Sequence, residues 1–158
     1  MSLQLVLDDP RLKSIYVIGS LRNPEIPTIG NAIRQLGYDV FDDWHAAGPT
    51  ADDEWMRYEK SRNHSYAEAL VGHAAGHVFS FDKSHLDRCD AAVLALPGGK
   101  SAHLELGYMI GSGKKGFVLF DKEPERWDVM YQFAHGVFFS LQDLLTALPR
   151  NSPATNGG

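Results

Sequence analysis

The chain predicts a single α/β domain with a five-stranded parallel sheet in flavodoxin-like (Rossmann-like) order and helices on both faces, and three observations carry this expectation. Short runs of β-branched and aromatic residues alternate with segments of helical periodicity, which implies right-handed crossovers between parallel strands. The run Ala91-Ala92-Val93-Leu94-Ala95-Leu96 is apolar at every position, as a central strand covered on both faces must be. An earlier run, Ile15-Tyr16-Val17-Ile18, stops at Gly19-Ser20, the pattern of a buried strand feeding a turn.

The elements follow in order. Residues 15–18 form the first strand. After Pro24, the positions Ile26, Ile29, Ile33 and Leu36 recur at helical spacing, with Gly37 standing where a C-terminal cap belongs. Residues 38–41 read as the second strand, followed by a loop carrying the polar cluster Asp42-Asp43-Trp44-His45. Residues 52–75 are charged and helix-compatible, with Trp55, Tyr58, Tyr66 and Leu70 as anchors, and a second helical piece spans 82–89. The third strand, 91–96, ends at Pro97-Gly98-Gly99. A helix over 101–112, strands over 117–120 and 137–139, and a closing helix over 141–148 complete the domain, residues 1–148. The tail, 149–158, is rich in Pro, Ser, Asn and Gly and is expected to be disordered.

Composition limits what such a domain does. With 158 residues, 44% of them hydrophobic, one core is affordable and two domains are not expected. A net charge of -5 argues against coating a nucleic-acid polymer, which needs clustered Lys and Arg, and leaves small metabolites as ligands. The single cysteine, Cys89, rules out an intramolecular disulfide and a multi-thiolate zinc site; the expected compartment is the reducing cytoplasm. Residues 1–9 lack the basic flank of a signal peptide, and no apolar stretch approaches the roughly 18 residues of a membrane span.

In an open parallel sheet, ligands bind outside the carboxyl ends of the strands, which gathers residues 19–22, 42–45 and 97–105 along one rim. Gly19-Ser20-Leu21-Arg22 offers backbone amides and a guanidinium to an anion, or forms a tight turn with a solvated arginine. Gly99-Lys100-Ser101 is not a P-loop, because position 94 is Leu where a glycine is required. His73 and His77 lie four apart, but Ala74 stands where a metalloprotease needs its glutamate; no metal is expected. Glu105 is placed among Leu104, Leu106 and Tyr108 in the first turns of a helix. It reads either as a desolvated carboxylate held ionised by the helix dipole and able to attack a sugar carbon, or as a solvent-facing Glu suited to an N-terminal turn.

Tyr16 with Gly19-Ser20-Leu21-Arg22, then Asp82 eight positions before Asp90 at the head of an apolar strand, then Leu104-Glu105-Leu106-Gly107-Tyr108, together resemble the nucleoside 2-deoxyribosyltransferase superfamily. The Gly-Ser-Leu-Arg turn is most similar to the branch of nucleoside 5'-monophosphate N-glycosidases. The resemblance implies Glu105 as nucleophile, Asp82 as the group that serves the leaving base, as proton donor or by orienting it, and Tyr16 as the group that positions the Glu105 carboxylate. It also implies Gly19, Ser20, Leu21 and Arg22 around a 5'-phosphate. Position 99 is Gly where the family carries a phosphate-contacting serine, so Ser101 is the expected substitute, and the strand-to-Glu loop is slightly shorter. Asp82 reads alternatively as a helix cap ahead of Lys83. By their place after strand two, Asp43, Trp44 and His45 are candidates for contact with the base.

The implied activity is cleavage of the base-sugar bond of a (deoxy)nucleoside 5'-monophosphate, with no cofactor. Base exchange by a transferase, cleavage of NAD, and a nucleotide sensor without turnover are the alternatives. A homodimer or larger assembly is implied as well, with Trp127, Met130, Tyr131 and Phe133 as candidate interface residues or as core.

Overall fold

A computed structural model of the chain describes residues 9–151. Five strands, β1 (Ser14–Ile18), β2 (Asp39–Phe41), β3 (Ala91–Ala95), β4 (Lys115–Leu119) and β5 (Gly136–Phe138), form one sheet in the order β2-β1-β3-β4-β5 with every neighbour parallel. This is the order expected from the sequence. Its switch point lies between β1 and β3, so the crevice outside their carboxyl ends is where a ligand is placed by topology. The helices are α1 (Ile26–Arg34), α2 (Ala51–Ser61), α3 (Tyr66–Leu70), α4 (His73–Arg88), α5 (Lys100–Gly111) and α6 (Leu141–Ala147).

Strand residues alternate between two cores because successive side chains leave opposite faces. Ile15, Val17, Val93, Phe117 and Leu119 pack with Ile26, Ile29 and Ile33 of α1 and Leu144 of α6. Tyr16, Ile18, Ala92, Leu94 and Val118 pack with Leu86 of α4 and with Leu106 and Met109 of α5. This parity decides the chemistry. A polar aromatic at an even position of β1 is delivered to the α4–α5 side, and small Ala92, its register partner on β3, leaves room for the ring.

Helix α1 begins with a proline in its first turn and gives way to Gly37, whose φ of +99° favours glycine. A Cβ there would also lie 1.8 Å from the Asn151 carbonyl oxygen. That crowding corrects one expectation, because the tail does not begin as a disordered segment. The Asn151 amide donates to the Leu36 carbonyl at 2.8 Å, and the Tyr38 hydroxyl donates to the Pro149 carbonyl at 2.5 Å. Residues 152–158, and the N-terminal run 1–8, lie outside the described residues.

The helical pieces also differ from expectation. Residues 82–88 are the second half of α4, a continuous helix from His73, so Asp82 is an interior residue and not a cap. The cluster after β2 forms a 3-10 turn, Asp43–Ala47. Periodicity hid the first change because residues 73–81 are almost entirely exposed, Val78, Phe79 and Phe81 included, and so carry no amphipathic stripe.

Candidate active site

Tyr16, Asp82 and Glu105 reach one point from three elements: β1, the middle of α4 and the second turn of α5. Tyr16 is 1% exposed, and its hydroxyl pKa is raised far above the ordinary phenol value, first by burial and then by the charges of Glu105 and Asp82. Glu105 is pushed up to about 7, by burial above all and then by the Asp82 carboxylate, while a hydrogen bond from the Tyr16 hydroxyl acts in the opposite direction. Burial raises Asp82 as well, and neighbouring His85 partly offsets this. Two carboxyl groups sharing a desolvated space do not both ionise freely.

Of the two readings of Glu105 from the sequence, neither a solvent-facing carboxylate nor one held ionised by the helix dipole describes its surroundings. Desolvation prevails instead, because Glu105 stands beyond the first turn, where the dipole's influence has faded. The wall behind the cluster is aromatic: Tyr16 and Phe41 rings lie 5.0 Å apart, and His85 stacks on Phe41 at 3.7 Å. Neither Phe41 nor His85 carries a sequence motif. They are brought in by β2 pairing with β1 and by α4 crossing the same face.

At the end of β1, Ser20 Oγ accepts from the Arg22 amide at 3.1 Å, closing a turn that holds Leu21 half-buried and leaves Arg22 exposed. Gly19 is there for space: a Cβ would meet Ile26 Cδ1 at 2.6 Å and the Ala95 carbonyl at 3.2 Å, both part of the buried junction of β1, α1 and β3. Gly19→Ala is therefore expected to cost about 1–3 kcal/mol through overpacking, read as a lower urea midpoint with an unchanged slope. Ser101 is exposed in the first turn of α5, four residues before Glu105 and so on the same helix face.

The residues after β2 build the neighbouring wall. Trp44 donates from Nε1 to the Val17 carbonyl at 2.8 Å, which commits its one donor to the sheet. His45 Nε2 lies 2.9 Å from the Asn23 carbonyl; a carbonyl only accepts, so Nε2 carries the hydrogen and Nδ1 of the neutral ring is an acceptor. Asp43 is exposed, 4.0 Å from Arg34. The firmer partner of Arg34 is Asp42, at 2.5 Å. Half-exposed Asp53, which approaches Arg22 at 3.7 Å, was not legible beforehand, since it comes from α2.

Further along the rim, clefts of about 510 and 600 Å3 flank Tyr131, whose hydroxyl bonds His103 Nε2 at 2.9 Å. Trp127, Met130 and Phe133 are exposed there, which settles against core burial for those three. His73 and His77 are both exposed on α4, and among the described residues no group of three or more His, Cys, Asp or Glu is arranged to hold a metal. No helix among the described residues is long and apolar enough to cross a membrane.

No family model and no curated protein matches the chain. Solved structures do. The 2-deoxyribosyltransferase of the psychrotolerant bacterium Bacillus psychrosaccharolyticus is similar with a TM-score of 0.60 at 17% identity, over 89% of this chain and 99% of that one. A conserved protein of Enterococcus faecalis V583 gives 0.54 at 15%, over 86% and 96%. The CMP N-glycosidase BcmB of Clostridium botulinum gives 0.52 at 12%, over 85% and 96%. At these identities the likeness is one of architecture: the chain has the α/β fold of the 2-deoxyribosyltransferases.

Proposed function

We propose that the chain is an N-glycosidase that cleaves the base-sugar bond of a (deoxy)nucleoside 5'-monophosphate through a covalent glycosyl-Glu105 intermediate. The observation that carries this reading is that Glu105, Asp82 and Tyr16, from three different elements, lie close enough in largely buried surroundings to shift one another's ionisation. The similarity in fold to a deoxyribosyltransferase and a CMP N-glycosidase supports the substrate class.

In the first step a Glu105 oxygen bonds to C1' of the sugar as the C1'–N bond breaks, and its electron pair leaves with the base. Asp82, whose pKa burial also raises, gives that base its proton in the form where the proton shared by the two carboxyl groups sits on Asp82 and Glu105 is the carboxylate. Tyr16 orients the attacking carboxylate and stabilises its charge. In the second step the Asp82 carboxylate takes a proton from water as the oxygen bonds to C1', and Glu105 leaves as a carboxylate with configuration retained. The turn 19–22 and Ser101 hold the 5'-phosphate, and the wall formed by Trp44, His45 and Asp43 faces the base. No cofactor enters this scheme.

A homodimer belongs to the same reading. The outer half of α4 exposes Val78, Phe79 and Phe81 beside the catalytic acid, and Leu104 on α5 is 75% exposed. A second copy that covers these residues also closes the crevice. Sedimentation is expected to give twice the monomer mass.

The test is a panel of ribo- and deoxynucleotides assayed chromatographically for free base, beside Glu105→Ala. Release of base and sugar phosphate by the native protein alone is the expected result. A new nucleoside formed when a second free base is present assigns base exchange instead. Nicotinamide release from NAD, or tight nucleotide binding with no base released, overturns the proposal in favour of an NAD-cleaving domain or a sensor.

A further inference from the structure

We infer that Asp53 sets how strongly this site prefers a 5'-phosphate over a 5'-hydroxyl, by holding the guanidinium that the phosphate needs. The inference rests on the functional reading above and names the substrate selectivity of that site.

Arg22 is the only arginine or lysine of the turn after β1. Its Nη2 lies 3.7 Å from Asp53 Oδ2, both side chains being well exposed, at 73% and 49%. The other nearby arginine is not free to help: Arg34 is locked by Asp42 at 2.5 Å, by Asn31 at 2.9 Å and by the Val40 carbonyl. Ser20 Oγ accepts from the Arg22 amide and keeps its own hydrogen to donate, but it carries no charge to balance a phosphate. Asp53 also stands in the first turn of α2 between two further acids, Asp52 and Glu54, so the edge of the crevice facing Arg22 is negative.

A 5'-phosphate, with nearly two charges at neutral pH, wins Arg22 from a single loosely held carboxylate. It then remains beside that carboxylate and is repelled by it. A 5'-hydroxyl meets the opposite situation, since it can donate a hydrogen bond to Asp53 and displaces nothing. Asp53 therefore lowers the affinity for nucleotides and raises that for nucleosides, and its effect falls on KM, because the 5'-substituent takes no part in bond cleavage.

The experiment compares Asp53→Asn with Asp52→Asn, which removes the same charge from the same helix turn without touching Arg22. For the best nucleotide of the panel and its parent nucleoside, Asp53→Asn is expected to raise the ratio of the two kcat/KM values by about tenfold, through KM. Asp52→Asn is expected to move it less than twofold. Independently of turnover, ribose 5-phosphate is expected to bind Asp53→Asn about three- to tenfold more tightly than the native protein in calorimetry. An unchanged ratio and unchanged ribose 5-phosphate affinity overturn the inference, as does an equal effect of Asp52→Asn. Should no substrate release base while ribose 5-phosphate still tightens, the catalytic reading fails and the pairing of Asp53 with Arg22 as a phosphate antagonist stands.

Discussion

Glu105→Gln is expected to abolish base release, by about a thousandfold or more in kcat, and at the same time to make the protein more stable at pH 8. The two effects have one cause. The folded-state pKa of Glu105 is about 7, above the ordinary 4.5, chiefly because burial penalises the charged form. Between these values the folded chain binds more protons than the unfolded one, so stability is lost as pH rises through the window from 4.5 to 7. Above pH 7 the full penalty is in place. After discount for the half-buried setting it is on the order of 2 kcal/mol. Glutamine keeps the shape and carries no charge to desolvate. Melting curves of the variant and the native protein should therefore nearly coincide at pH 4 and separate by about 4–8 °C at pH 8. A separation that is the same at both pH values would show that Glu105 is not desolvated, and retained base release would remove it from the mechanism.

Asp82→Asn is expected to lower kcat by about a hundredfold for ordinary nucleotides, because the base then departs without a proton donor. Two further readouts separate this role from a structural one. A nucleotide of an N7-methylated purine, whose base leaves without protonation, should lose less than tenfold. The rise of activity with pH that reports ionisation of Glu105, near 7 in the native protein, should move to lower pH, since Asp82 is one of the groups that raise Glu105. The shift is partial, because burial is the larger cause and survives the substitution. An equal loss on both substrates with no movement of the pH profile would make Asp82 a packing residue.

The penalty carried by Glu105 is typical of sites where function and stability oppose each other. A solvent-facing carboxylate at the same position would cost nothing and would be a poorer nucleophile for a sugar carbon, since its charge would be spread over hydrogen bonds to water. The aromatic wall of Phe41 and His85 and the burial of Tyr16 maintain that desolvation.

Strand identity, parallel order and the rim were legible because they depend on local features. The all-apolar run 91–95 has only one place in an α/β sheet, and the Gly-Ser turn after β1 marks a carboxyl end. The sequence also singled out Tyr16, Asp82 and Glu105, through resemblance rather than periodicity. What it misjudged were quantities that depend on neighbours distant in sequence. The helix bearing Asp82 was expected to start at 82 rather than at His73, because the exposed half of α4 has no stripe to betray a longer helix. Residues 149–151 join the segment that follows α1 through hydrogen bonds spanning more than a hundred residues, as from Tyr38 to Pro149.

By itself, then, the sequence determined the order of strands and helices and which loops lie at the carboxyl ends of the strands, because alternation and turn residues are written residue by residue, and by resemblance it named the side chains proposed to react. Only the tertiary structure decided the desolvation that raises Glu105, the pairing of Arg22 with Asp53 and the commitment of the Trp44 donor to Val17. Each of these is set by how much water is excluded and which charges stand within a few ångströms, and both follow from packing between elements that are remote along the chain.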